Sequence, residues 1–159
     1  MFAGIFQTMS ERKIEIALFI IRATTAIFLG LWATLKFVRP EWTENIFRGF
    51  YNLPIVTSDY ALYLGIFQLA TVACFAIGLW RFWTYGLMML MSAAGVIGSL
   101  KSYVRFDEAG ELVLAYTNYP HNLMLTAIPT LGALVALFLL RDMDNLLSVS
   151  GKPASTNKN

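Results

Sequence analysis

The chain has 159 residues, of which 57% are hydrophobic and 14% are charged, and its formal net charge is +2. Soluble domains carry roughly 25% charged residues, so this composition, with a mean hydropathy of +0.59, indicates an integral membrane protein. The small net charge says little about nucleic acid, and because no basic run with interleaved aromatic residues is present, we do not expect nucleic acid as a partner. Cys74 and His121 are each the only residue of their type, which excludes an intramolecular disulfide, a redox cysteine pair and a haem held by two histidines of this chain.

The first predicted element is a membrane-spanning helix over residues 14–37. Its 24 residues rise about 36 Å as an α-helix, which is enough to cross a bilayer. Glu15, Arg22, Leu29 and Lys36 recur every seven residues in this segment and therefore lie on one stripe of the helix. Because charged groups cannot face lipid cheaply, we expect the stripe to face other protein or a water-filled cavity.

A short helix is predicted over residues 40–51, after the first span. Pro40 suits the first helical position, and the aromatic residues of this segment suit the membrane interface. Three more apolar segments approach spanning length: residues 60–79, 85–100 and 121–140. Pro129 lies within the last of them and predicts a kink. Residues 101–120 are polar and contain two short extended pieces in the pattern of a hairpin.

These elements predict an all-α membrane protein, a four-transmembrane-helix antiparallel bundle with a short interfacial helix after the first span. The transmembrane domain covers residues 14–147. Residues 1–13 form either an N-terminal tail or an interfacial helix, and residues 148–159 form a disordered polar tail. More Lys and Arg residues flank the side that holds the two termini, so the positive-inside rule places both termini in the cytoplasm.

Candidate ligand-binding residues meet at the opposite end of the predicted bundle. Counting residues along antiparallel spans places Lys36 level with the start of the second span and with the start of the fourth. The residues expected at this mouth are Lys36, Trp42, Asp59, Tyr119 and His121. One interpretation is a polar site for a quinone head group, an anion or a small metabolite. The other is structural, with Lys36 reaching lipid head groups and His121 capping a helix.

Arg22 is the second candidate position. It lies about 12 Å from the end of its span, and an arginine near a helix centre costs about 2.5–3.5 kcal/mol on insertion scales. The other spans offer no acid at this depth, so neutral acceptors are expected: Gln68, Ser92, Thr126, Thr130 and the Leu125 carbonyl. Arg22, with Gln68 as a further ligand-binding candidate, either attracts an anion or lipid phosphate or forms a hydrogen-bond hub that locks the bundle.

A pattern of four residues, Arg22, Gly30, Lys36 and Pro40, resembles the DoxX-like family of small four-helix bacterial membrane proteins. The likeness continues in Gly65-x-x-Gln68, although the family usually has glutamate where this chain has Gln68. The stretch GLWATLKFVRPEW is also similar to the related YkgB-like proteins, whose C-terminal motif is missing here. The resemblance implies a four-helix fold in the bacterial inner membrane. One branch of the family is a subunit of a thiosulfate:quinone oxidoreductase.

Two functions follow as expectations. The first is a non-catalytic subunit or accessory protein of a larger membrane complex, with quinone-linked respiratory complexes as the class that the resemblance implies. The alternative is a stand-alone small-molecule carrier or quinone-reactive membrane enzyme that uses a polar site near Arg22 and Lys36. We expect no catalytic residues, no metal site and no cofactor of its own, although a quinone or lipid is a candidate bound ligand. The expected partners are membrane lipid and other membrane-protein subunits.

Overall fold

The computed structural model describes residues 2–50, 53, 57–100, 103, 105–106, 112–113 and 125–150. This part of the chain contains five helices: α1 Phe2–Val38, α2 Pro40–Phe50, α3 Ser58–Ala76, α4 Arg81–Gly98 and α5 Ala127–Leu139. It also contains two short strands, β1 Arg105–Phe106 and β2 Leu112–Val113. The prediction of an all-helical architecture is confirmed.

Two helices in the described ranges are long and apolar enough to cross a membrane. They are Glu11–Val38 within α1 and Ser58–Ala76, which is α3. A third apolar helix, Ala127–Leu139, is shorter. α1 packs most extensively against α3, and α4 packs against α5.

The hairpin predicted within residues 101–120 is confirmed. β1 and β2 pair antiparallel, with Arg105 opposite Val113 and Phe106 opposite Leu112. The turn expected between them lies outside the described residues.

The charged stripe of α1 faces the protein, as predicted. Arg22, Ala26, Leu29 and Ala33 are all buried. Glu15 and Lys36, at the two ends of the stripe, are partly buried. The small side chains of Ala26 and Ala33 let neighbouring backbones approach closely, so the stripe is the packing face of α1.

Two boundaries differ from the predictions. α1 runs without a break through residue 13, so the N-terminal segment is part of the same helix as the first span. Pro129 lies in the first turn of α5 and not within a long helix. Its missing N–H removes no intrahelical hydrogen bond at that position, so Pro129 does not interrupt α5, and residues 121–124 of the predicted span lie outside the described part of the chain.

The end of the described chain folds back over the α3–α4 turn. We call residues 140–150 the C-terminal strap. Val149 N donates a hydrogen bond to the Ile77 carbonyl at 3.0 Å, and Ser148 Oγ donates to the Gly78 carbonyl at 3.1 Å. The first residues of the predicted tail, 148–150, are therefore part of the fold, while residues 151–159 lie outside the described part of the chain.

Gly78 is the position where a side chain would interfere with this docking. Its φ is +66°, in the left-handed region, and a Cβ atom there would meet the Ser148 side chain and lie 2.9 Å from Arg22 Nη1. Glycine reaches this backbone conformation without steric cost.

We therefore expect Gly78→Ala to lower the melting temperature of the protein in mild detergent, by backbone strain of about 1–3 kcal/mol and by displacement of the strap. Gly132→Ala is the matched control, because a Cβ at Gly132 within α5 meets nothing within 4 Å. It should be neutral or stabilising by about 0.5–1 kcal/mol. Equal melting temperatures for the two variants would contradict the docking described here.

Candidate functional site

Arg22 forms a buried ion pair with Asp144 of the C-terminal strap. Arg22 Nη1 lies 2.8 Å from Asp144 Oδ2, and both side chains are fully buried. The Tyr85 hydroxyl donates to the same carboxylate oxygen at 2.6 Å and accepts from Arg22 Nη1 at 3.2 Å. Arg22 Nη2 donates to the carbonyls of Leu146 and Leu147 at 2.7 and 3.0 Å. We call these five residues the Arg22 network.

The Arg22 network is not fully hydrogen-bonded within the described residues. Arg22 Nε and Asp144 Oδ1 are buried and have no hydrogen-bond partner there. Removing two charges from water is costly, and a buried pair recovers that cost fully only when its other polar atoms are also paired. We therefore expect the network to fix where the strap docks more than to raise the net stability of the fold.

Arg81, the first residue of α4, holds the strap from its other side. Its Nη1 donates to the Arg141 carbonyl at 2.6 Å and to the Asp144 carbonyl at 2.8 Å. Its Nη2 donates to the Ser150 carbonyl at 2.8 Å. The Trp80 N–H donates to Ser150 Oγ at 3.1 Å. Backbone carbonyls of the strap are thus bound by two arginines that lie far apart in the sequence.

The acceptors that the sequence predicted for Arg22 are wrong. Asp144 takes that place, because the chain turns back after α5 and returns an acid to the level of the α3–α4 turn. Counting residues along straight spans assigns Asp144 to a loop beyond the bundle, so the count missed it. The sequence held one signal for this pair: Arg22 lies in a span where no other span offers an acid at its depth, and Asp144 follows just after the last apolar segment. The Asp144 carboxylate pairs with Arg22 as the hydrogen-bond hub requires, while anion or lipid binding at Arg22 stays a prediction.

A cavity of about 260 Å³ lies nearer the other end of α1. We call it the Lys36 cavity. Side chains from all five helices surround it, and its apolar lining includes Phe28, Leu29, Trp32, Leu35, Trp42, Ile46, Phe47, Leu64, Met88 and Met91. Its polar lining comprises Lys36, Thr43, Gln68, Ser92, Ser99, Thr126 and Thr130. Several acceptors predicted for Arg22 therefore line this cavity instead.

Three polar groups of the Lys36 cavity have no hydrogen-bond or ion-pair partner in the described part of the chain. They belong to Lys36, Gln68 and Ser92. Gln68 is only 9% exposed, and its amide faces the cavity, whose lining it joins. Unpaired buried polar groups cost free energy, and at a cavity wall they are available to a ligand.

Aromatic stacking holds α2 against the cavity. The Trp32 and Trp42 rings are 5.8 Å apart between centroids and 4° from parallel, which fixes α2 on α1. Ser58 Oγ donates to Glu44 Oε2 at 3.2 Å and links the start of α3 to α2. Glu44 also pairs with Arg48 at 2.6 Å on the exposed side of α2. α2 is thus a fixed wall of the cavity in this conformation.

The predicted site residues separate into three groups. Lys36, Trp42 and Gln68 come together around the cavity. Arg22 belongs to the Arg22 network, about 21 Å further along α1. Asp59 is exposed at the start of α3 and does not line the cavity. Tyr119 and His121 lie outside the described residues.

Comparison of the chain with protein-family models, with curated proteins and with solved structures finds no match. The functional argument therefore rests on the geometry. The described residues define an all-helical protein with two helices able to span a membrane. Among these residues, the polar sites considered for function are the Arg22 network and the Lys36 cavity.

Breaking the Arg22–Asp144 pair should destabilise the protein strongly. We expect Asp144→Asn to cost about 3–5 kcal/mol, because it leaves the Arg22 charge buried without an anion. Asp142→Asn is the control, since Asp142 is exposed and two residues away. Unfolding in mild detergent, followed by circular dichroism, measures the difference.

The same pair predicts the outcome of charge removal at Arg22. Arg22→Leu should lower the melting temperature more than Arg48→Leu, because Arg48 is exposed and its surface pair with Glu44 contributes little. The double change Arg22→Leu with Asp144→Leu should recover part of the loss, since it leaves no unpaired charge. Equal tolerance of the two single arginine changes would refute a buried ion pair.

Proposed function

We propose that the chain is a multi-pass protein of the bacterial inner membrane, with α1, α3, α4 and α5 as four antiparallel spans and α2 as an interfacial helix. The observation that carries this proposal is the apolar surface that the packed helices leave exposed. Exposed large apolar side chains occur on every one of these helices, for example Ile27, Leu31, Tyr63, Ile66, Leu90, Ile97 and Leu139. Continuous apolar surface of this kind is unfavourable in water and favourable against lipid tails.

The ends of the helices support this placement. Trp80 and Trp83 are exposed at the α3–α4 turn, where a membrane interface suits aromatic rings. By sequence, the strap end carries six cations, Arg12, Lys13, Arg81, Arg141, Lys152 and Lys158, and the α2 end carries four, Arg39, Arg48, Lys101 and Arg105, or five with Lys36. The positive-inside rule then assigns the strap end to the cytoplasm and the α2 end to the outer face.

The proposed role is that of a non-catalytic accessory subunit in a larger membrane complex. Two observations support this role. The two fully buried charged side chains of the described part, Arg22 and Asp144, bind each other and so serve the fold. The exposed apolar faces offer surface to neighbouring spans as well as to lipid. The likeness to DoxX-like proteins favours a quinone-linked respiratory complex as the assembly.

Cysteine labelling tests the topology. On a Cys74→Ser background, Asn45→Cys on α2 should react with a membrane-impermeant maleimide on intact cells. Asp142→Cys on the strap should react only after permeabilisation; both positions are exposed in the structure. Labelling of Asp142→Cys from outside would overturn the orientation.

Co-purification tests the accessory role. The full-length protein, extracted from its native membrane in mild detergent after cross-linking, should retain a membrane-protein partner in near-equal amount through gel filtration. Recovery of the chain alone, with and without cross-linker and at native expression level, would overturn the accessory role.

The Lys36 cavity favours a second function, the binding of a small hydrophobic molecule, as a carrier or a quinone-reactive enzyme would need. Its support is the largely apolar lining together with the unpaired groups of Lys36, Gln68 and Ser92. Arg22 is not part of that site, because Asp144 binds it elsewhere. Mass spectrometry of the organic extract of the purified protein should detect a bound amphiphile that a Met91→Trp variant, with its cavity filled, retains poorly.

A further inference from the structure

The Lys36 cavity contains a cation without a counter-ion in the described residues. Lys36 lines the cavity, and neither ion pair of the described chain includes it. Of the two acids in α2, Glu44 binds Arg48 and Ser58 and Glu41 is exposed; Asp59 is also exposed, and none of the three lines the cavity. A charged ammonium against apolar walls is stabilised when an anion enters beside it.

The position of the Lys36 side chain is restricted by its contact with α3. A Cβ atom at Gly65 would lie 3.1 Å from Lys36 Cβ, so the base of the lysine packs directly on the α3 backbone. Gln68 is one helical turn further along α3 from Gly65, and it lines the same cavity. The lysine and the glutamine thus enter the cavity from two helices that touch at this point.

Gln68 is an independent sign of a ligand with acceptor oxygens. Its side chain is nine-tenths buried, and its amide has no partner in the described part of the chain. An amide can donate two hydrogen bonds, and an ammonium three. Together with Lys36 it offers donors that a carboxylate would accept, and hydrogen bonds to a charged group are the stronger kind.

The rest of the lining restricts the shape of the ligand. A volume of about 260 Å³ is slightly below the about 300–1,000 Å³ of pockets for drug-sized molecules. Phe28, Met88 and Met91 provide an apolar and adaptable wall, which suits a hydrocarbon chain. The Trp32 and Trp42 rings stack on each other, so no flat ring fits between them. A single narrow chain fits this space better than a two-chain phospholipid or a ring held between the tryptophans.

We propose that the Lys36 cavity binds a single-chain anionic amphiphile of the fatty-acid class. Its carboxylate lies at the Lys36 ammonium and the Gln68 amide, and its hydrocarbon chain lies against Phe28, Met88 and Met91. The proposal rests on the second function above, binding at this cavity, and is independent of the accessory role.

Quenching of tryptophan fluorescence tests the proposal. The chain has 4 tryptophans, and Trp80→Phe with Trp83→Phe removes the two exposed ones at the other end. Trp32 and Trp42, which line the cavity, remain as reporters. The full chain in phosphatidylcholine nanodiscs is titrated with dibrominated stearate at neutral pH. Saturable quenching is the expected result.

Variants of the lining residues test the contribution of the ligand's carboxylate head group separately from that of its hydrocarbon chain. Lys36→Met should weaken the stearate affinity at least tenfold, whereas Lys36→Arg should retain it within about threefold. Arg39→Met is the matched control for the loss of one cation, because Arg39 is exposed and outside the lining; it should change the affinity less than twofold. Gln68→Leu should weaken binding several-fold. A melting curve for each variant confirms that it is folded.

Three results would overturn the proposal, and they differ in whether they also refute ligand binding at the Lys36 cavity. Dibrominated stearyl alcohol binding as tightly as stearate, with no effect of Lys36→Met, would overturn the anionic class but leave binding at the cavity. Brominated phosphatidylglycerol competing equally, with the same dependence on Lys36, would overturn the single-chain form and assign the site to a membrane phospholipid. Absence of saturable quenching by any of these probes would overturn both the proposal and the second function.

Discussion

The guanidinium of Arg22 is fully buried between α1, α4 and the C-terminal strap, where it is stable only beside an anion. That anion is Asp144, 122 residues later in the chain, so one ion pair joins the first helix to the last described segment. Tyr85 adds α4 to the same contact, and the carbonyls that Arg22 binds fix the backbone of the strap. The docking of the C-terminal strap at this end of the bundle therefore depends on the neutralisation of the Arg22 charge by Asp144.

The two ends of α1 use their charges in opposite ways. At the strap end, the arginines at positions 22 and 81 bind groups of this chain, which leaves that end closed. At the cavity end, Lys36 and Gln68 have no partner in the described residues, although both line a largely apolar cavity. An ion pair that joins the strap at one end and a cavity with unpaired donors at the other are a physical basis for a scaffold that also binds a ligand. The accessory role and the amphiphile site proposed above are therefore compatible.

Close packing connects the cavity to the main helix contact. Gly65 lets the α3 backbone lie directly against Phe37 and Lys36 of α1. A Cβ atom placed at Gly65 would lie 3.0 Å from the Phe37 ring. The Trp32–Trp42 stack holds α2 on the same region of α1. The stack and the Ser58–Glu44 hydrogen bond thus hold α2 in place as one wall of the cavity.

Sequence alone determined the features that depend on local pattern: the helices, the β1–β2 hairpin and the inward orientation of the Arg22 stripe. These follow from apolar periodicity and from the cost of placing charge in lipid, and both can be read residue by residue. The partner of Arg22 and the grouping of Lys36 with Gln68 were decided only by the tertiary structure. Asp144 is adjacent to Arg22 because the strap reverses direction after α5, stabilised by Arg81 and by hydrogen bonds to the backbone at Ile77 and Gly78. Such a reversal is fixed by contacts between residues far apart in the chain, and no local pattern encodes it.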